Sequence, residues 1–416
     1  MTLLAADGAA DRDISTDQLR QTLAQCLNQM HSAPARVLLL PPDHTRFYSG
    51  AGEITNIVYD LLTPTAEVDI MPALGTHAPM TPEQLRAMFG EAIPLERFLV
   101  HDWRHDLRHL GDVPPEKLQQ WSNGRVDYAV RIEVNERLFA GYDLILSIGQ
   151  IVPHEVVGMA NYTKNLCVGV GGQDTINKSH FLGAVCNMET IMGRADTPVR
   201  ALVNYGCHEY MQDLPLWYCM TVMQQQADGM CMRGLFVGDD DEAFEAGAAL
   251  SRQVNLTLLE QPQDKVVAWL PPHEFKSTWL GNKAVYRTRM MIADGGELVV
   301  LAPGLKEFGE DGEIDALIRK YGYRGTPATL KAVDENDDLA ANLSAAAHLI
   351  HGSSEGRFTI TYCPGPGVSR DEIEDVGFAW GDLDEYRRRY DPDTLGDGAN
   401  VLADGEEVYY VSNPSL

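Results

Sequence analysis

The densest group of reactive side chains lies between residues 153 and 180. His154, Lys164 and His180 follow one another at intervals of 10 and 16 residues, beside the glycine-rich stretch Gly169–Gly172. A lysine amine can bond covalently to a carbonyl-type cofactor or pair with phosphate, and imidazole suits nickel, copper or zinc. Glycines let backbone N–H groups approach a phosphate closely. The segment therefore indicates a cofactor or metal site, although it matches neither GxGxxG nor HExxH.

Two earlier segments carry similar side chains, and each follows an apolar, β-branched run. They are Asp43-His44-Thr45-Arg46 and Gly75-Thr76-His77, and His154 stands in a comparable place after a third run. Open α/β sheets bind their ligands at the carboxyl ends of their strands. Because three segments that lie far apart in the sequence each follow a predicted strand, we expect them to meet in one pocket.

The elements that position these residues alternate between strand and helix patterns. Thr81 and Gln84 have the spacing of a helix capping box, with Pro82 at the first helical position. The alternation predicts an α/β protein with two domains, largely parallel sheets and the active site in the cleft between the domains. The expected strands cover 35–40, 68–71, 142–148, 266–270, 297–301, 358–362 and 407–411, and further expected helices cover 52–62, 241–258, 283–292 and 330–351.

The length of 416 residues exceeds that of one usual hydrophobic core. The polar segment 260–264 contains a proline and is a candidate junction. We therefore predict an N-terminal cofactor-binding catalytic domain over 1–260 and a C-terminal α/β domain over 265–402. The tail 403–416, which reads as a last strand, could return to the first domain.

Composition excludes several classes of protein. The formal net charge of −27 disfavours nucleic acid as a partner, because phosphate binding depends on lysine and arginine. The sequence has no apolar stretch of membrane-spanning length and no basic residue ahead of its first apolar run, so neither a membrane helix nor a signal peptide is expected. The seven cysteines lack a CxxC pair, which is typical of free thiols in a reducing compartment. We expect a soluble, cytoplasmic protein, and the sequence does not indicate its oligomeric state.

The four reactive segments resemble the lactate racemase family, the nickel-pincer nucleotide enzymes. That family carries Asp-x-Thr-Arg, Gly-Thr-His-x-x-Met-Thr, a Pro-His pair ahead of a lysine, and a histidine 16 residues past the lysine. This chain has residues 43–46, residues 75–81, Pro153-His154 with Lys164, and His180 in the same order. The resemblance covers about residues 35 to 185 and continues more loosely through Trp279–Lys283 and Asp294–Gly296.

The resemblance implies an isomerase, a racemase or epimerase that inverts C2 of a small 2-hydroxy acid. It implies reversible hydride transfer through a 2-keto acid, with nickel in the pyridinium-3,5-bisthiocarboxylic acid mononucleotide as cofactor. Lys164 would tether this nickel-pincer nucleotide and His180 would bind the nickel. His77 and His154 would be the acid and base, which suits imidazoles that titrate near neutrality.

The remaining roles follow from the same resemblance. Arg46, assisted by Lys283, would bind the substrate carboxylate, and the cofactor phosphate or ribose would lie near Asp43, Thr45, Gly169, Gly171 and Gly172. Ala160-Asn161-Tyr162-Thr163 replaces the family's small Ser-Gly-Gly, and Trp279–Lys283 replaces its Tyr-Gln-x-x-Lys. These changes favour a longer substrate than lactate, an aldonate sugar acid such as gluconate, with Asn161, Tyr162 and Thr163 as hydroxyl partners.

Three other functions stay open at the level of the sequence. A zinc-dependent hydrolase or lyase would use His77, His154 and His180 as three protein ligands with one open position. A dehydrogenase with free NAD would need a glycine fingerprint after the first strand, which the chain lacks. A non-catalytic binding protein would share the pocket and carry out no reaction.

Overall fold

The computed structural model describes residues 2–226 and 229–414 and separates the chain into two compact units. The first unit comprises residues 1–186 and 190–257, and the second comprises residues 187–189 and 258–416. Within the described ranges, no helix is both long and apolar enough to cross a lipid bilayer. Among the described residues, none of the seven cysteines is joined to another in a disulfide bond.

The first unit is built on a six-stranded sheet with the strand order β1-β10-β9-β6-β2-β3. Strands β9, β6, β2 and β3 are parallel to one another. Strand β10 pairs with β9 in the antiparallel direction, and β1 pairs with β10 in the same way. The strands of this unit are Leu3–Gly8 (β1), Arg36–Leu40 (β2), Glu67–Ile70 (β3), Leu107–Val113 (β4), Val130–Asn135 (β5), Leu144–Gln150 (β6), Pro153–His154 (β7), Gly158–Met159 (β8), Leu216–Gln226 (β9) and Gly229–Gly238 (β10).

The helices of the first unit cover both faces of its sheet, which explains why the central strands are apolar without interruption. In β2, Val37 and Leu39 join one core cluster with α1 and α2, while Leu38 and Leu40 are equally buried but do not belong to that cluster. The α-helices are Thr16–Met30 (α1), Ala51–Leu62 (α2), Pro82–Phe89 (α3), Pro115–Trp121 (α4), Gln173–Val185 (α5), Pro198–Tyr210 (α6) and Asp241–Asn255 (α7), with 3-10 turns at His44–Ser49, Leu95–Arg97 and Glu136–Phe139 and a π-helix at Asn165–Gly169. A further 3-10 turn, Met188–Thr190, belongs mostly to the second unit.

Local signals in the sequence set several of these boundaries. Helix α3 begins with the expected capping box, in which the Thr81 hydroxyl accepts from the backbone of Gln84 and the Gln84 side chain accepts from the backbone of Thr81. Each bond satisfies a backbone N–H that has no partner inside the helix. The β2 and α2 elements lie within a residue of their predicted limits.

The second unit is built on a sheet with the order β14-β13-β12-β11-β16-β15, in which β15–β16 is the antiparallel pair and the other neighbours are parallel. Two largely parallel sheets in an α/β chain confirm the predicted fold class. The elements are strands Gln263–Trp269 (β11), Ile292–Ala302 (β12), Thr359–Pro364 (β13), Ala379–Trp380 (β14), Gly398–Val401 (β15) and Glu407–Val411 (β16), and helices Thr278–Gly281 (α8), Lys283–Thr288 (α9), Gly312–Tyr321 (α10), Thr326–Glu335 (α11), Asp337–Ala340 (α12), Leu343–His351 (α13), Arg370–Asp375 (α14) and Leu383–Arg389 (α15).

Two predictions for this unit are wrong. The tail strand β16 does not return to the first unit, because it pairs with β11 and β15 through Val408, Tyr409 and Tyr410. The expected long helix over 330–351 is three helices, since Asn336 has extended backbone angles and Asn342 caps α13. Asparagine favours such caps over helix interiors because its side chain bonds to nearby backbone groups.

Candidate active site

The reactive segments of the first unit meet at one edge of its sheet. Strands β6, β2 and β3 are parallel neighbours, so the loops that follow them leave from the same edge. Further bonds join these loops to the π-helix: the Gly75 N–H donates to Gly169 O at 2.8 Å. The Asn165 amide donates to Leu40 O at 3.0 Å and to the Ser147 hydroxyl at 2.9 Å. The three segments therefore converge, as the strand pattern predicted.

A cavity of about 270 Å³ lies where they converge. The residues that line it belong to the first unit, and the expected position in a cleft between domains stays a prediction. Of the residues proposed from the sequence, the cavity is lined by Asp43, Thr45, Arg46, His77, His154, Asn161, Lys164, Gly169 and His180. Sequence reasoning did not anticipate Gln150, Glu155 and Asn165, which also line it.

His77 is oriented by a carboxylate. Its Nδ1 donates to Asp43 Oδ2 at 2.7 Å, while Asp43 Oδ1 accepts from the backbone and the hydroxyl of Thr45. The neutral ring therefore carries its hydrogen on Nδ1, and Nε2 is the acceptor nitrogen. Burial opposes ionisation of Asp43, but the bonds from His77 and Thr45 outweigh it and hold the pKa of this carboxyl below its usual value.

His154 has the opposite arrangement. Its Nδ1 accepts the backbone N–H of Val156 at 3.1 Å, so the neutral ring carries its hydrogen on Nε2. Only 7% of the residue is exposed, and burial lowers the pKa of His154 well below its usual value. The positive charges of Lys164 and Arg46 act in the same direction, and Glu155 opposes them. His154 is therefore a neutral hydrogen-bond donor at neutral pH.

Lys164 stands directly before the π-helix, whose wide turn is closed by the bond from Val170 N–H to Asn165 O at 3.1 Å. Burial, followed by the positive charge of Arg46, lowers the pKa of Lys164 to about 8. About a tenth of this amine is therefore neutral and nucleophilic at pH 7, far more than for a lysine with the usual pKa.

His180 lies on α5 and donates from Nδ1 to Ile176 O of its own helix at 2.6 Å. That bond leaves Nε2 as the nitrogen with a lone pair, which is how a single metal-binding imidazole is fixed. Burial lowers the pKa of His180, so the ring is neutral, as a metal ligand must be. Within residues 2–226 and 229–414, no group of three His, Cys, Asp or Glu side chains is placed to bind one metal ion.

Asn161 presents a buried amide to the cavity. The residue is 8% exposed, and among the described residues neither Nδ2 nor Oδ1 has a hydrogen-bond partner. An unsatisfied buried polar group costs about 1–3 kcal/mol, which a bound ligand with matching groups would recover. Asn161 is thus the clearest polar contact that the cavity offers to a ligand.

Three of the proposed contact residues do not line the cavity, and their roles toward a ligand stay predictions. Tyr162 does not line the cavity, because its ring is buried between Tyr218 and Phe244, with centroids at 4.3 and 5.1 Å. Gly171 and Gly172 do not line it either. At Gly171 a Cβ atom would lie 1.8 Å from a backbone oxygen of the π-helix, so this glycine permits a close approach of the chain to itself. Gly172 is the N-cap of α5.

Two further residues are Lys283, which was predicted from the sequence, and Arg200, which was not. Lys283 begins α9 in the second unit, and its role toward the substrate stays a prediction. Arg200, which the sequence did not suggest, is a buried arginine that donates to the backbone ahead of Lys164. It lies 36 residues farther along the chain on α6, and no motif marks it.

Several known proteins are similar to this chain in sequence or in fold. Residues 11–193 match the lactate racemase N-terminal domain family. A lactate racemase of Thermoanaerobacterium thermosaccharolyticum is 25% identical over 159 residues, which are 37% of this chain and 34% of that protein. The match thus spans about a third of the length of this curated relative.

Two solved structures share the fold over nearly the whole chain. A Thermotoga maritima protein gives a TM-score of 0.81 at 20% identity and covers 97% of this chain and 98% of its own. The lactate racemase apoprotein of T. thermosaccharolyticum gives 0.71 at 16% identity, with 99% and 93% covered. Residues 11–193, nearly all of which lie in the first unit, thus match the N-terminal domain of the lactate racemase family, and the two solved structures share the fold of the chain.

Proposed function

We propose that this protein is a racemase or epimerase of a 2-hydroxy carboxylate that works with a lysine-tethered nickel-pincer nucleotide. The observation that carries this proposal is the single cavity shared by Lys164, His180, His77 and His154. Lysine and histidine from separate segments supply a nucleophilic amine, a nitrogen ligand and two proton-transfer groups within one site. The match to the N-terminal domain family supports the same class of reaction.

The residues present fit the nickel-pincer nucleotide. Lys164 would tether it, since its lowered pKa makes the amine available for a covalent bond. His180 would bind nickel through Nε2, because Nδ1 is engaged with Ile176. When bound, the group supplies an acceptor that reversibly takes up the C2 hydrogen together with its electron pair. Thr45 and Gly169 line the same cavity and are candidates for the nucleotide.

The two histidines start the reaction in different states. His77 presents Nε2 as an acceptor and is the base that takes the proton of the 2-hydroxyl group. Asp43 stabilises the charge that then forms on the ring, so its role is to orient His77 rather than to contact an anionic phosphate. His154 donates from Nε2 to an oxygen of the substrate, and Arg46 supplies positive charge for the carboxylate.

We further propose that the substrate is an aldonate such as gluconate rather than lactate. An aldonate carries hydroxyl groups beyond C2, and each hydroxyl can both donate and accept a hydrogen bond. The Asn161 amide offers a matching donor and acceptor. Thr163 does not serve this purpose, because its hydroxyl is engaged with Asn204 and Arg200.

The deciding experiment uses holo-protein from a host that makes the prosthetic group. Intact mass and metal analysis should show an adduct on the peptide that contains Lys164 and nickel in the protein. Zinc bound to a chain with unmodified Lys164 would refute the proposal in favour of the zinc-dependent alternative. Gluconate and lactate deuterated at C2 should then be assayed separately in water. Epimerised gluconate that retains its deuterium supports the proposal, and turnover of lactate alone refutes the aldonate.

A further inference from the structure

The backbone directly before Lys164 has an unusual conformation. Asn161 and Tyr162 are consecutive residues with φ angles of 67° and 59°, in the left-handed region that glycine adopts without steric cost. Two adjacent residues other than glycine in this region persist only when their surroundings hold them. The segment that presents both Lys164 and the Asn161 amide is therefore held from outside.

The Arg200 side chain makes three hydrogen bonds to this segment. Its Nη1 donates to Asn161 O at 3.2 Å and to the Thr163 hydroxyl at 2.8 Å, and its Nη2 donates to Met159 O at 2.5 Å. The three acceptors span residues 159 to 163, so one rigid guanidinium fixes the whole turn. The Thr163 hydroxyl in turn donates to Asn204 Oδ1 at 2.6 Å, which ties the turn to α6 a second time.

The surroundings of Arg200 suit a positioning role. The residue is 3% exposed, and its guanidinium lies 4.3 Å from the centre of the Phe244 ring, which also stacks on Tyr162. Burying a positive charge against carbonyl and hydroxyl oxygens is unfavourable unless its donors are used. Here Nη1 and Nη2 donate to a strained stretch of backbone next to the candidate tether, and among the described residues only Nε of this guanidinium has no hydrogen-bond partner.

We propose that Arg200 is a positioning residue that holds the left-handed turn at Asn161 and Tyr162 and thereby fixes Lys164 in the cavity. The proposal rests on the role proposed for Lys164 as the tether. It concerns the placement of the amine, which can be measured without the prosthetic group. A failure of this proposal is therefore distinguishable from a failure of the proposed function.

The test is competitive acetylation of cofactor-free protein with acetic anhydride at about pH 10, where lysine amines are largely neutral and labelling reports access. Peptide mass spectrometry compares Lys164 with the exposed Lys331 of the same molecule. In Arg200→Met the ratio should rise about tenfold as the turn relaxes. Adding Asn161→Gly should bring the ratio back toward the wild-type value, because glycine adopts the left-handed conformation at position 161 without steric cost.

Arg233→Met is the matched control. Arg233 is also a buried arginine of the first unit that donates to a backbone carbonyl, at Arg12. This variant should lower the unfolding midpoint without changing the ratio. Arg200→Lys keeps the charge and serves if Arg200→Met does not fold; its ratio should rise less. An unchanged ratio in the folded Arg200 variants, or no reversal by Asn161→Gly, would overturn the proposal.

Discussion

Replacing Asp43 by asparagine tests the proposed assignment of the base. The Thr45 backbone and hydroxyl both donate to Asp43 Oδ1, so the oxygen of an asparagine would stay with Thr45 and its NH₂ would face His77. Nδ1 of His77 would then accept, and the ring would carry its hydrogen on Nε2. The variant therefore keeps the side-chain shape and reverses the tautomer of the base.

The magnitude follows from two losses. A hydrogen bond to a charged group contributes about 1.5–3 kcal/mol, and each 1.36 kcal/mol is tenfold in rate. The wrong tautomer adds to this, as at other catalytic histidines that lose their carboxylate partner. Because His77 is partly exposed and can relax, we expect kcat of Asp43→Asn to fall about 10²- to 10³-fold.

The assay is epimerisation by holo-protein with matched adduct content, followed by chiral chromatography. Asp69→Asn is the control, since Asp69 also accepts a side-chain hydrogen bond, from Tyr142, and does not line the cavity. If Asp43→Asn retained kcat within about threefold of the control, the assignment of His77 as an oriented base would be refuted.

Asp43→Asn should also change how the unfolding free energy depends on pH. The pKa of Asp43 is lowered in the folded state, so its ionised form stabilises the fold above the pKa of the unfolded carboxyl, about 3.9. This contribution is lost as pH falls through the folded pKa. The difference in unfolding free energy between wild type and Asp43→Asn should therefore be present at neutral pH and shrink on acidification.

Three further predictions address other residues. His154→Gln keeps a donor, so in chiral assays of holo-protein it should retain at least tenfold more activity than His154→Phe; equal activities would contradict a donor role. Asn161→Ala should lower kcat/KM for gluconate about tenfold or more and leave lactate within about twofold, and an equal loss for both would show that the amide does not read the distal hydroxyls. Burial lowers the pKa of His348 to about 3, so this histidine destabilises the fold progressively below pH 6.5, by about 1–2 kcal/mol at pH 5.5. Urea unfolding of His348→Gln should show a correspondingly weaker pH dependence, and an unchanged dependence would contradict the neutral state of this ring.

The central part of the fold could be predicted because its signals are local. The runs that became β2, β3 and β6 are apolar without interruption, since both faces of the sheet are covered, and each ends in a loop with turn-forming residues. Parallel order at neighbouring strands then brings His77 and His154 to one edge. The capping box of α3 was equally visible, because it depends on two residues three positions apart.

The remaining features depend on contacts that no local pattern encodes. The sequence alone favours Tyr162 as a hydroxyl partner of the substrate, but burial of its ring against Phe244 directs it into the core. The tautomers of His77 and His154 depend on a partner 34 residues away in one case and on a backbone N–H in the other. Arg200 is recognisable only when α6 packs beside the turn that it fixes.

The π-helix at Asn165–Gly169 has a consequence for variation in chain length. In an ordinary α-helix each residue turns the chain by about 100° around the axis. The hydrogen bond of a π-helix spans five residues instead of four, so its turn contains one extra residue. Deleting one residue here would tighten the turn to α-helical winding and swing the neighbouring lysine away from His180. Loops elsewhere on the surface can gain or lose residues at little cost, whereas this five-residue segment must keep its length for the site to stay aligned.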